Sequence, residues 1–503
     1  MNKTSLFNTF IKARNERPND PAFLITSGDR SLPISWRQFT DDIDLVSYLI
    51  KLHVPGSAIG LLGENSYEWM VGHAACIFSG ATVVPLDVNL NADDIVDRLK
   101  AVDAKVFMHS SLYSHKAQEV HSKLPELIMG GFGSRVADRF LDAARQAMIA
   151  SGETLWNGES GATDGHTSMI VFTSGTTSEP RGVELTTRGI EVFCESASAM
   201  IPMKRGDRSL MLLPLHHIFG IATTYLMLSR GVALGVCPDF RRIYDAVERF
   251  RANFLFLVPA LVEILAAKIE QHSASNEAAQ EIGLEWILTG GAPQPGRSAE
   301  RMEKLGVKVI TGYGLTETSS LYSLSDPNAP FKRGSAGVAV KHPEVEAAVS
   351  DDGELLIRGP NVFKCYWHMP EATAKAKDAD GWFHTGDKGH IDEDGFVWIT
   401  GRISRTIVLS SGKKVAPEEL ETKLLAMPEI SETIVSGDGA TREIVATIYS
   451  TEGEEKVNAA VCALNKTMPV HMRISKVVIR TSPFPKTASG KIKLNPPDEI
   501  LTR

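Results

Sequence analysis

Cysteine is scarce in this chain, and none of it is arranged for bridging or metal binding. Cys76, Cys194, Cys237, Cys365 and Cys462 are scattered over 503 residues with no Cys-x-x-Cys pair. That argues against a zinc site and a disulfide framework, and a reducing, cytoplasmic compartment is the expectation. Long apolar runs are missing as well. The most apolar stretches, Val71 to Leu86 and Phe254 to Ala267, are broken by His73 and Glu263. They are expected to be buried elements, with no membrane span. The first twenty residues carry Lys3, Lys12, Arg14 and Arg17 without a sustained apolar core, so no secretory leader is expected. A formal net charge of −8 excludes a surface given over to nucleic acid. Internal repeats and low-complexity tracts are absent, as is a Gly-Lys-Ser/Thr at Walker spacing.

What is present is an alternation of helical and strand patterns. Ser35 to Leu52 has helical periodicity, and Ala58 to Gly63 is a short buried strand. Asn65-Ser66 caps a helix toward Phe78. Gly80 to Leu86, Asn91 to Val102 and Ala104 to Met108 continue as strand, helix, strand. This order predicts a mostly parallel sheet flanked by helices. Gly130 to Gly165 has no clear pattern. Further strands are expected at Ser168 to Phe172, Ser209 to Pro214, Val232 to Val236, Phe254 to Val258, Trp286 to Thr289 and Val307 to Thr311, with a helix at Arg188 to Met200. Beyond Pro330, short alternating strands with glycine turns predict a β-rich subdomain, and the last hundred residues have the size of a separate small domain.

Several loops at predicted strand ends carry chemistry. Thr173-Ser174-Gly175-Thr176-Thr177 packs hydroxyls around a glycine, and Arg181 follows. Hydroxyls and backbone N–H groups of such a loop can hold phosphate oxygens, and a cation can offset a triphosphate's charge; a Ser/Thr-rich surface turn is the alternative. Tyr313 follows a strand and a glycine, so its ring can lie against a purine. Thr316 offers a hydroxyl, and Glu317 a carboxylate for a hard cation such as magnesium. Asp387 can accept from ribose hydroxyls, and Arg402 can reach the same sugar or its phosphate. Lys491 sits in Pro485-Lys486-Thr487-Ala488-Ser489-Gly490-Lys491, at the tip of a Gly/Ser turn. Each residue also has a plain structural reading. Their joint occurrence in this order is what carries the functional one.

In that order and at those separations, the motifs resemble the adenylate-forming superfamily of acyl-CoA synthetases, adenylation domains and luciferases, over nearly the whole chain. Phrases such as Leu213-Pro214-Leu215-His216-His217 and Pro417-Glu418-Glu419-Leu420-Glu421 look most like the long-chain fatty-acid–CoA ligase branch. The resemblance implies an α/β fold with a large N-terminal domain, 1–402, of flanked, mostly parallel sheets plus the β-rich subdomain. It also implies a small mobile α+β C-terminal domain, 403–503. It departs at Arg181, where the family usually has lysine, at Ser178 and Glu179, at Ser404, where the hinge is usually Asp or Lys, and at Leu494.

The implied activity is ATP-dependent activation of a carboxylic acid to acyl-AMP with loss of pyrophosphate, then transfer to the thiol of CoA. In that scheme Lys491 bridges carboxylate and α-phosphate, and Glu317 holds Mg2+ beside Thr316. Thr173 to Arg181 hold the outer phosphates, and Gly291-Ala292-Pro293 frame adenine with Tyr313. Asp387 and Arg402 fix the ribose. His217, with Ile218, Gly220, Phe254 to Val258 and Gly290, would line the acyl pocket, and Gly412 a pantetheine tunnel entered after the small domain rotates. The apolar pocket residues favour a fatty or aryl acid. Two alternatives stay open: a stand-alone enzyme that loads a carrier-protein phosphopantetheine, and a non-catalytic nucleotide-binding protein.

Overall fold

The protein is described by a computed structural model covering residues 5–27, 30–133, 148–151, 165–173, 180–237, 239–272, 278–292, 296–326, 332–439, 441–486 and 492. Side-chain alternation along the strands builds its layers. In Ala58–Leu62, Ile59 and Leu61 enter one core and Leu62 another. In Phe254–Leu257, both phenylalanines enter that first core, while Leu255 and Leu257 enter a third. Two sheet layers therefore share a central core, and each has a second core on its outer face.

The first layer is a six-stranded sheet ordered Ile128–Phe132, Val106–Ser110, Ala58–Leu62, Thr82–Leu86, Thr167–Thr173, Arg181–Thr186. Its strands are parallel except for the last pair, an antiparallel hairpin. The second layer is made of two sheets. One orders Arg30–Ser35, Pro21–Ser27, Ala233–Val236 and Arg208–Met211; the other begins with the parallel strands Phe254–Leu257, Trp286–Thr289 and Lys308–Tyr313. Helices Tyr67–Ser79, Thr187–Met200 and Ile218–Arg230 fill the central core between the layers. Ala92–Ala101 and Ser114–Lys123 cover the first layer's outer face, and Ile243–Phe250 and Pro259–His272 the second's.

The β-rich subdomain is a four-stranded antiparallel sheet, Glu346–Val349, Glu354–Arg358, Phe383–Ile391 and Val397–Arg402. After it, Ile407, Val415, Leu420, Leu424, Val435 and Ile448 form a core that shares no member with the other three. Among the described residues no helix is long and apolar enough to cross a membrane.

Three local expectations change. The hairpin strand Arg181–Thr186 stands where only a loop running to a helix is expected, and Ile128–Phe132 is a strand inside the patternless region. The second has a plain cause: it is an edge strand, exposed or half-buried at every position, so no alternation marks it. Asn65 is not the cap of the helix beginning at Tyr67. Ser66 is, accepting from Trp69 N at 3.2 Å.

The helix Tyr67–Ser79 is buried at every residue but Glu68. It carries His73 inside the central core, stacked on Trp69 and sharing a 2.9 Å hydrogen bond with the Tyr225 hydroxyl. Burial pushes this imidazole from 6.5 down to about 3. The unfolded chain takes up a proton that the folded chain refuses. The stability held above pH 6.5 is therefore lost as pH falls toward 3, by about 2 kcal/mol at pH 5. Denaturant titrations should show that slope in the wild type and a flatter one in His73→Gln.

Candidate active site

The predicted phosphate loop is the tip of the hairpin. Thr173 and Arg181 pair across it. Ser174, Gly175, Thr176 and Thr177 lie outside the described residues, as do Ser178 and Glu179. Arg181 is held from the side. The segment 363–367 runs along the outer edge of Arg181–Thr186 through an isolated bridge: Trp367 N donates to Gly182 O at 2.7 Å, Glu184 N to Cys365 O at 3.0 Å, and Val183 bridges Tyr366. Tyr366 thereby comes to lie under the Arg181 guanidinium, 5.3 Å from carbon to ring centroid. The Arg181 Nε is buried and has no hydrogen-bond partner among the described residues. The Tyr366 hydroxyl donates to Glu317 Oε1 at 2.8 Å, and Phe363 N donates to the Glu317 carbonyl at 2.8 Å. Burial, followed by the Glu317 charge, raises the Tyr366 phenol's pKa, so it stays a donor.

Strand Lys308–Tyr313 leads into the short turn Thr316–Thr318 that presents Glu317. At the strand's end the Tyr313 hydroxyl donates to Asp387 Oδ2 at 2.5 Å. Arg402 Nε meets Asp387 Oδ1 at 2.7 Å, the two being cross-strand neighbours in the β-rich sheet. Three predicted ribose and adenine residues thus converge. Asp387 is 4% exposed, and each of its oxygens has a partner, yet a carboxylate offers about four acceptor sites and can still receive a ribose hydroxyl. Gly291 and Ala292 follow Trp286–Thr289, whose Thr289 pairs with Thr311 on the strand that carries Tyr313. Pro293 lies outside the described residues.

His217 immediately precedes helix Ile218–Arg230. Asn65 fixes this approach: its Nδ2 donates to Leu213 O at 2.9 Å and its Oδ1 accepts from Leu215 N at 3.1 Å. Gly220 is required there, because a Cβ would stand 2.4 Å from Pro214 O. The His216 and His217 rings lie 4.3 Å apart, and His216 Nε2 is 3.6 Å from Asp87 Oδ2. Burial lowers the His216 pKa, and Asp87 opposes that shift.

Arg402 leads into the turn Ile403–Arg405, which contains Ser404. Arg405 then forks onto Glu418 at 3.0 Å and Glu421 at 2.6 Å, fastening it to the C-terminal unit. Gly412 has φ +77°, the left-handed region glycine tolerates, and a Cβ there would meet no atom within 4 Å. That backbone conformation is by itself a reason for glycine at this position. Lys491 lies outside the described residues. Its neighbours are anchored: Lys486 bridges Ile492, Lys486 Nζ pairs with Glu432 at 2.6 Å, and Phe484 N donates to Glu432 at 2.7 Å.

Tyr366 and Glu432 are not singled out by the sequence, and Asn65 is read from it only as part of a helix cap. Tyr366 stands in the aromatic run from Phe363 to Trp367, which looks like core, and a bond to a residue 49 positions earlier leaves no local signal. Among the described residues no three His, Cys, Asp or Glu side chains cluster to cage a metal. Glu317 and Thr316 instead supply hard oxygens, which suits a magnesium ion that takes most of its ligands from phosphates and water.

Comparison with known proteins identifies the family. The family model for AMP-binding enzymes matches residues 10–367, and that for the AMP-binding enzyme C-terminal domain matches residues 404–495. An indoleacetate–CoA ligase of Aromatoleum aromaticum is 29% identical over 469 residues, covering 89% of each chain. The long-chain-fatty-acid–CoA ligase FadD15 of Mycobacterium bovis is 30% identical over 443 residues, covering 78% of this chain and 72% of its own. The ATP-bound structure of MatB from Rhodopseudomonas palustris superposes with a TM-score of 0.81 at 22% identity, covering 96% of this chain and 97% of its own. The chain belongs to the AMP-binding enzyme family, within the adenylate-forming superfamily, and is an acid–thiol ligase that activates a carboxylic acid.

Proposed function

We propose that this enzyme joins a fatty acid to AMP at the Mg2+-dependent site around Arg181, Tyr366, Glu317, Tyr313, Asp387 and Arg402, and then passes the acyl group to CoA in the cytoplasm. The observation that carries the reading is the convergence of two groups from distant parts of the chain at strand ends. One is Arg181 with Tyr366 and Glu317; the other is Tyr313 with Asp387 and Arg402.

A carboxylate is a poor acyl donor because its oxygen leaves badly. The first half-reaction removes that obstacle: the carboxylate oxygen attacks the α-phosphorus, and pyrophosphate departs. Two anions must meet, so positive charge has to be supplied. In this reading Arg181 and the loop from Thr173 to Thr177 hold the outer phosphates, and Lys491 neutralises the approaching carboxylate and the α-phosphate. Glu317 and Thr316 would hold Mg2+, which offsets phosphate charge. Asp387 and Arg402 hold the ribose, while Tyr313, Gly291, Ala292 and Pro293 frame the base. The acid would lie beside His217 against Ile218, Phe219 and Phe256, of which Ile218 and Phe256 are buried in the central core. These apolar neighbours suit an alkyl or aryl chain, and the name of the FadD15 relative favours a fatty acid over the indoleacetate of the other.

In the second half-reaction the unit 403–503 would turn about Ser404, withdrawing Lys491 and bringing the Gly412 turn beside the thiol. The ion pairs of Arg405 with Glu418 and Glu421 would carry Arg405 with that unit.

A panel of fatty acids of increasing length, with aryl acids alongside, should give acid-dependent pyrophosphate release greatest for a fatty acid, and a thioester with free CoA. Preference for an aryl acid would remove the fatty-acid assignment. Thioester formation only on a carrier-protein phosphopantetheine would remove the CoA assignment.

A further inference from the structure

We infer that Tyr366 is a positioning residue that ties the phosphate-binding cation to the metal-binding carboxylate. The inference rests on the proposed roles of Arg181 and Glu317. Arg181 leaves the hairpin at the first position of its strand, and Glu317 leaves a short turn between two strands of another sheet. The single side chain Tyr366 touches both, with its ring under the guanidinium and its hydroxyl on Oε1 of the carboxylate. It is held in that place by its own strand-like pairing, the bridge to Val183, and by Tyr366 N donating to Thr373 Oγ1 at 2.9 Å. Phe363, three residues earlier in the segment, also clamps the Glu317 backbone.

The two contacts do different things. The ring faces a flat, delocalised cation, which arginine supplies and a lysine ammonium does not. That gives arginine at position 181 a local reason: the guanidinium lies over Tyr366 while its buried Nε is left without a hydrogen-bond partner among the described residues. The hydroxyl occupies one oxygen of Glu317 and fixes the carboxylate's rotation. The remaining oxygen is oriented before a metal–triphosphate arrives, so less freedom is lost on binding.

The test separates the contacts. Calorimetry with the full chain would measure ATP affinity with Mg2+ and with EDTA, for wild type, Tyr366→Phe and Tyr366→Leu. Tyr366→Phe keeps the ring and loses the hydroxyl. Because the hydroxyl also interacts with Arg181, metal-free ATP binding should weaken slightly, while the Mg2+-dependent part of the affinity should fall further, by about tenfold, as expected for a hydrogen bond to a charged group. The Mg2+ concentration for half-maximal pyrophosphate exchange should rise in step. Tyr366→Leu should weaken metal-free ATP binding more strongly. The inference is overturned if Tyr366→Phe matches wild type in both buffers, or weakens both equally with an unchanged melting temperature. Arg181→Ala and Glu317→Gln in the same assay test the underlying reading. If these two lose affinity while Tyr366→Phe does not, Tyr366 alone is misassigned. If neither of them loses affinity, the site itself is misplaced.

Discussion

Lys491→Ala should lower acid-dependent ATP–pyrophosphate exchange by about 10²–10³-fold, the cost typical of removing one preorganised stabiliser of developing charge. Thioester formation from supplied acyl-AMP and CoA should stay close to the wild-type rate. The asymmetry follows from the chemistry. Only the first half-reaction brings a carboxylate against a phosphate, so only there is a bridging cation needed. Once the adenylate exists, the thiol attacks a carbonyl whose leaving group is already AMP. A matched loss in both half-reactions, with an unchanged melting temperature, would place Lys491 outside the adenylating site.

Asp387→Ala should behave in the opposite way and depress both half-reactions, because the nucleotide is present in both. Asp387 is buried and receives the Tyr313 hydroxyl and the Arg402 guanidinium. Truncating it leaves two donors aimed at an empty space. For a fully buried pair such a loss costs about 3–5 kcal/mol. Arg402 is 42% exposed, so solvent takes over part of its share and the lower end is expected. The variant should melt earlier and bind ATP poorly. Asp387→Asn keeps the shape and an acceptor for Tyr313, so it should hold most of the stability while losing about tenfold or more in ATP affinity. ATP binding unchanged in both variants would take the ribose role away from this residue.

The elements that were legible are those with a strong repeating pattern or a cap. Ser35 and Asn91 cap their helices as such residues do, and the strand that ends at Tyr313 lies within two residues of its expected bounds. The weakly patterned strand Ile128–Phe132 was illegible because it lies exposed at a sheet edge. The strand Arg181–Thr186 was hidden for another reason. Its start follows the hydroxyl-rich loop, and its pairing partner is known only once the hairpin closes. Within the site, residues with distinctive chemistry could be picked out singly, such as Glu317 and Asp387. What linked them could not. Tyr366 reaches Glu317 across 49 residues, and Asn65 reaches Leu213 across 148. Such links depend on which strands become neighbours, a property of the whole topology and not of any window of sequence.

The central claim is that the acid's own oxygen attacks the α-phosphorus. It is tested most directly by running one turnover with a carboxylic acid labelled with 18O in its carboxylate. The adenylate route leaves one carboxylate oxygen on phosphorus when the thiol breaks the C–O bond. AMP should therefore carry one labelled oxygen and pyrophosphate none. Unlabelled AMP, or label in pyrophosphate or inorganic phosphate, would contradict the account.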